Sequence, residues 1–168
     1  YGIVYDRDEQ DQRIYEGHNS AVISLAVDSY GRVAASGDLQ ASAQLHFWDA
    51  RTAQHLKSFV GLHRRGITSL AFSSSSEHLV SLGQDVMNSI VVLRSPTRQW
   101  DDAVVVCSTS VSARKMLFVD YVELNTFPIV VGGNKCIYFF RAQGKSLERV
   151  RGTFGKQKKI QPILCGCE

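Results

Sequence analysis

The sequence contains no apolar run approaching the roughly 20 residues needed to cross a bilayer; its longest apolar stretches are of the size of AVVVC and FPIVV. Its first residues, YGIVYDRDEQDQR, have neither the basic start nor the long apolar centre of a secretory signal. No membrane partner is therefore expected. There is no initiator Met, and the last residues, ILCGCE, read as strand-like; both lead us to expect a portion of a longer chain. Cysteine is sparse, at four residues. Cys107 and Cys136 sit in apolar runs, where buried free thiols are common. Cys165 and Cys167 are one residue apart, not the two to four of common zinc pairs, and no His stands near them. No metal and no cofactor are expected.

The residues that carry enzymatic chemistry in other chains are also missing in their working arrangements. GTFGK, Gly152 to Lys156, is too short for a phosphate loop, which needs four residues between its glycines and a Ser or Thr after the Lys. None of the five histidines has the i, i+4 helical partner of a zinc protease, and no Gly-x-Ser-x-Gly elbow occurs. Asp101-Asp102 follows Trp100 in a polar stretch and reads as solvated. The chain is not expected to be an enzyme. Nor is it basic enough overall, at a net charge of +3, to suggest a nucleic-acid binder.

What is present is a repeat. AVISLAV, RVAASGD and QLHFWDA can be laid over GITSLAF, EHLVSLGQD and SIVVLRS, and these over RKMLFVDYV, FPIVVGGNK and CIYFFRA. Trp48, Leu93 and Phe140 then fall at matching places, 45 and 47 residues apart. A fourth short run closes each unit: AQHLKSFVG, DAVVVCS and SLERVRG. Apolar spacing of two dominates, and Gly, Ser and Asn separate the runs, so we expect antiparallel strands and no helix. Four strands in roughly 40 to 45 residues is the period of a β-propeller blade.

The fold class is therefore all-β: a partial propeller of four-stranded antiparallel blades, about three of them complete, with strands of two flanking blades. The expected blade repeats are 15–60, 61–105 and 106–150, flanked by 1–14 and 151–168, all within one propeller. Tyr1 to Asp6 is expected as the third strand of a preceding blade, and KIQPILCGC as the first strand of a following one. Three blades leave open sheet faces, which makes the rest of its own propeller an expected partner.

Gly17-His18 before the first unit and Trp48-Asp49 at its third strand resemble the WD-repeat family. His18 is expected to brace its loop through a ring N–H, Trp48 to fill the gap between blades and Gly17 to allow a tight turn. The second unit keeps Gly61 and His63 and has Asp85 in its turn, but Leu93-Arg94 replaces Trp-Asp. The third has Phe140-Arg141 and no Gly-His. The bracing polar network is therefore expected to be incomplete in the second and third blades.

Within that family the chain resembles the echinoderm microtubule-associated protein-like proteins. The resemblance rests on Phe140, Gly144, Ser146 and Leu147, and on Gly152-Thr153-Phe154-Gly155-Lys156 followed by Lys158 and Lys159. It implies a non-enzymatic scaffold on cytoplasmic, ciliary, axonemal or centriolar microtubules, with tubulin or microtubule-associated proteins as partners. The alternative is a general protein-interaction propeller without tubulin contact. Charge is uneven in support of an acidic partner: residues 1–140 hold 12 basic and 14 acidic residues, and 141–168 hold 7 and 2. The expected contact residues are Arg149, Arg151, Lys156, Lys158 and Lys159, with Arg64 and Arg65 as a second basic spot.

Overall fold

The computed structural model of the chain describes residues 1–7, 10–122, 126–155 and 160–165. Among these residues there is no helix. A hairpin of β1 (Gly2–Asp6) and β2 (Asp11–Tyr15) comes first. Three four-stranded antiparallel sheets follow, each in chain order. They are β3 (Val22–Val27), β4 (Val33–Asp38), β5 (Ser42–Asp49) and β6 (His55–Arg64); β7 (Ile67–Phe72), β8 (His78–Gly83), β9 (Ser89–Arg94) and β10 (Val104–Ser110); and β11 (Met116–Tyr121), β12 (Ile129–Gly133), β13 (Cys136–Gln143) and β14 (Ser146–Arg151).

Alternation along each strand explains how the sheets stack. On β5, Leu45 and Phe47 point to the second sheet, where they join Ile67, Val91 and Leu93. Trp48, next along the strand and so on its other face, points back to the hairpin and meets Tyr15. On β9, Ile90 and Val92 point on to the third sheet and join Met116, Tyr138 and Phe140. Both faces of the middle strands are thus covered. This is why β4 and β8 are buried nearly throughout and read as continuous apolar or small-residue runs. The outer strands β6, β10 and β14 keep an exposed row.

The first strands β3, β7 and β11 lie side by side, so each sheet runs outward from a shared inner edge. Each first strand also breaks register one residue in, between Val22 and Ser24, Ile67 and Ser69, and Met116 and Phe118. A bulge there increases the local twist, and its recurrence at equivalent positions makes the repeat a structural one. The expected following strand is not formed over 160–165, although Ile163 N–H donates to Gly133 O at 3.0 Å. A lone extended segment has no ladder to join. The remainder of KIQPILCGC lies outside the described residues.

The two ends of the row of sheets are apolar. Ile23, Leu25 and Val27 are an exposed row on β3. At the other end Phe127, Phe139 and Val150 line a groove of about 450 Å³.

Candidate functional site

In the first blade one serine joins the polar groups of two strands and a loop. Trp48 Nε1–H donates to Ser36 Oγ at 3.0 Å, and Ser36 Oγ lies 2.7 Å from His18 Nε2. His18 Nδ1 lies 3.3 Å from Asp38 Oδ2. One tautomer satisfies all of these groups: His18 donates from Nδ1 to the carboxylate, so Nε2 accepts the Ser36 proton. Asp38 also takes the Gln40 side chain at 2.6 Å and the Gln44 backbone N–H at 2.7 Å. The side chains of His18 and Asp38 are fully shielded. Burial outweighs the carboxylate and holds the His18 pKa below its usual range.

The second blade repeats this chain with one hydroxyl added. Ser81 Oγ lies 2.7 Å from His63 Nε2, and His63 Nδ1 lies 2.8 Å from Ser89 Oγ. Ser89 in turn donates to Asp85, which also accepts the Ser89 backbone N–H at 2.6 Å. The network expected to be incomplete here therefore runs from Ser81 to Asp85. Only its tryptophan end is missing, because Leu93 carries no donor. Burial pushes His63 down to about 4.

The third blade keeps only the apolar part of the pattern, with Phe140 fully buried on β13. Asp49 acts locally: its carboxylate accepts the backbone N–H groups of Arg51 and Thr52 at 2.9 and 2.8 Å and closes the turn from β5 to β6.

Gly17 has a different role from the one expected. It has no left-handed backbone angle; instead a Cβ there would sit 2.1 Å from the Tyr15 hydroxyl. Glycine is needed for that close approach, not for a tight turn. Tyr15 stacks on Trp48, with ring centroids 4.9 Å apart. Its hydroxyl lies 2.8 Å from His46 Nδ1 and 2.7 Å from His55 Nδ1. His46 Nε2 faces Gln44 Oε1 at 3.1 Å. His46 therefore donates to Gln44 and accepts from Tyr15, which leaves His55 to donate to the Tyr15 oxygen. Burial, with His18 stacked at 3.9 Å and His55 close by, lowers His46 to about 4. Burial raises Tyr15 to about 12. None of this was legible as a motif, although the Ser-Gly-Asp at 36–38 and the SLGQD at 81–85 lie in register in the repeat.

These polar chains hold the sheet end at which the blades are joined. Arg64 pairs with Ser42 at the end of β6, and Arg65 follows in the connection to β7. The next connection supplies Arg114 and Lys115; Asn134 N–H donates to Lys115 O at 2.9 Å, which brings the β12–β13 turn and Lys135 to the same end. Arg151, opposite Tyr138, closes β14 there. Arg149 is used internally: its Nη1–H donates to Val111 O at 2.6 Å and its guanidinium lies 5.4 Å from the Tyr138 ring centroid. Lys156, Lys158 and Lys159 lie outside the described residues. Glu16 lies at this end too, but Asp38 and Asp85 are engaged in the internal chains above. Sequence reading missed Arg114, Lys115 and Lys135, which are spread over units that look neutral when charge is summed along the chain. At the opposite end, Asp28, Asp49, Glu77, Asp101, Asp102 and Asp120 share the turns with basic residues.

Among the described residues no group of three His, Cys, Asp or Glu is placed to hold a metal ion. Cys107 and Cys136 are free and buried, and burial raises both thiols.

Comparison with known proteins agrees with this geometry. Residues 9–49 match the family model described as WD domain, G-beta repeat. Echinoderm microtubule-associated protein-like 1 from Homo sapiens is 28% identical over 172 residues, covering 97% of this chain and 21% of that protein. The 77 kDa echinoderm microtubule-associated protein from Lytechinus variegatus is 29% identical over 169 residues, covering 96% of this chain and 25% of that protein. The chain thus spans about a fifth to a quarter of the length of these relatives. Among solved structures, the RRP9 WD40 repeats superpose with a TM-score of 0.66 at 14% identity, over 86% of this chain and 42% of theirs. The chain is accordingly a partial β-propeller in which residues 9–49 match the WD-repeat model, and in sequence it resembles the echinoderm microtubule-associated protein-like proteins.

Proposed function

We propose that the chain is part of a non-enzymatic scaffold that associates with the microtubule cytoskeleton, binding tubulin or microtubule-associated proteins through the basic end of its blades. The observation that carries this reading is the gathering of Arg64, Arg65, Arg114, Lys115, Lys135 and Arg151 at one sheet end, where the sheets' own acids Asp38 and Asp85 are engaged internally. The names of the relatives supply the acidic partner. The outer face of tubulin is acidic, and a rigid display of cations steers encounter with such a surface and sets orientation more than it adds raw affinity. In sequence Lys156, Lys158 and Lys159 follow β14, and they belong to the proposed contact.

Changing Lys156, Lys158 and Lys159 to Glu together in the full-length protein is expected to weaken microtubule co-pelleting about tenfold at low salt. Pelleting by the unchanged protein should itself fall steeply as salt rises. Equal pelleting by both proteins, with no salt dependence, would remove the basic end from the contact.

A further inference from the structure

We propose that the cleft between the second and third blades, at this same sheet end, is a docking site for an extended acidic peptide carrying an apolar side chain. This goes beyond the microtubule reading and holds for any partner that presents such a segment. The cleft has a volume of about 350 Å³, enough for a few side chains and too small for a folded element. Arg65 lines it from one blade junction, Thr68 from the start of β7, Gln84 and Val86 from the β8–β9 turn, and Lys115 from the next junction.

Two features of these residues point to a ligand. Arg65 and Lys115 are exposed cations from separate connections, and neither has an ion-pair partner among the described residues. The carboxylate at the cleft, Asp85, makes its hydrogen bonds inward to the Ser89 backbone and hydroxyl and ion-pairs with neither cation, so two cations face one anion there. Second, Val86 and Met87 are 68% and 47% exposed at the tip of a turn, where Gly, Asn, Asp and Ser are the usual residues. Arg65 holds a left-handed backbone, φ +73°, directly before Gly66, as several other turn residues of the chain do. A residue with a Cβ costs about 1 kcal/mol there, and glycine would relieve it.

The walls are also fixed in advance. The Asn88 side-chain amide donates to Ser112 O at 2.7 Å and Arg114 O at 2.8 Å, tying the turn of one blade to the connection leading into the next. A cleft that need not reorganise loses less affinity to ordering. Two unpaired cations either side of exposed aliphatic surface complement carboxylates flanking an aliphatic side chain. In an extended peptide, successive side chains alternate in direction, which lets the aliphatic group enter while its acidic neighbours reach outward. The absence of an aromatic ring among the lining residues argues against stacked bases as the occupant.

The test is fluorescence anisotropy with the full-length protein and a labelled glutamate-rich peptide containing one central leucine. The unchanged protein should bind it saturably. Arg65→Glu with Lys115→Glu should weaken binding at least tenfold, and Val86→Asp severalfold. Arg65→Gly should weaken binding without lowering the melting temperature, which separates loss of the side chain from loss of the fold. Arg51→Glu with Arg98→Glu, at the opposite sheet end, should leave binding unchanged. Replacing the peptide's glutamates by glutamine should abolish binding, and replacing its leucine by serine should weaken it. The proposal is overturned by the absence of saturable binding, or by a double charge reversal that binds within twofold of the unchanged protein. It is equally overturned by indifference to the leucine, or by an oligothymidylate that binds as tightly through the same residues.

Discussion

Ser36 is the smallest side chain in the first blade's polar chain and the one on which the others converge. Removing its hydroxyl leaves the Trp48 N–H without its acceptor and His18 Nε2 without its donor, both inside the blade. A buried group so orphaned costs about 1–3 kcal/mol. We therefore expect Ser36→Ala to destabilise the protein by about 2 kcal/mol in urea unfolding, more than a Ser→Ala change in an exposed turn. Histidine carries a second consequence at this scale. His46 and His63 titrate near pH 4 in the folded protein, against about 6.5 when unfolded. Between those values the unfolded chain binds more protons, so stability is whole above pH 6.5 and is lost as pH falls toward 4. His63, almost wholly shielded, contributes on the order of 3 kcal/mol across that window, and His46, whose lowering comes partly from His18 and His55, contributes less. The groups facing His46 are Tyr15, His18, Gln44, His55 and, at longer range, Asp38. Comparing urea midpoints at pH 7 and pH 5, His46→Gln should lose less stability than the unchanged protein. An identical loss would show that His46 is not a titrating group of the transition.

At the scale of elements, the second blade shows how a missing wedge is replaced. Leu93 stands where Trp48 stands one blade earlier, and is too small to reach the preceding sheet in the same way. Trp100, from the turn between β9 and β10, fills that place. It is fully buried, stacks on Phe47 with centroids 4.5 Å apart, meets Phe72 edge-on at 5.1 Å and donates from Nε1 to Ser76 O at 3.2 Å. Trp100→Ala is expected to cost about 4 kcal/mol, comparable to Trp48→Ala, when urea unfolding of the two variants is compared. A cost near that of an exposed turn residue would mean that Leu93 alone closes the junction. Trp100 was not legible in sequence, because turn position and neighbouring aspartates disguise it; its role depends on Phe47, more than fifty residues earlier in the chain. The strands themselves were legible, because apolar spacing of two survives in all three units and the repeat places Trp48, Leu93 and Phe140 on equivalent third strands. His18 and His63 were legible from their neighbouring glycines. Their partners Ser36, Asp38, Ser81 and Ser89 were not singled out, since serine and aspartate in a turn have many uses and only the folded register selects one.

At the scale of the whole molecule, the sheets segregate charge by end. Each connection from one blade to the next returns the chain to the same end, so cations scattered over the sequence gather there: Arg64 and Arg65, Arg114 and Lys115, and Arg151. The opposite end mixes Asp28, Glu77, Asp101 and Asp120 with its arginines. The apolar row Ile23, Leu25 and Val27 on β3 is exposed at one end of the row of sheets, and the groove at Phe139 and Val150 lies at the other. The central claim is that the basic end meets the acidic partner. Electron cryo-microscopy of the full-length protein on microtubules tests it most directly. The account predicts that the connections bearing Arg64, Arg65, Arg114, Lys115 and Arg151 face the lattice. A reconstruction in which the turns bearing Glu77, Asp101 and Asp120 face it instead would contradict the account.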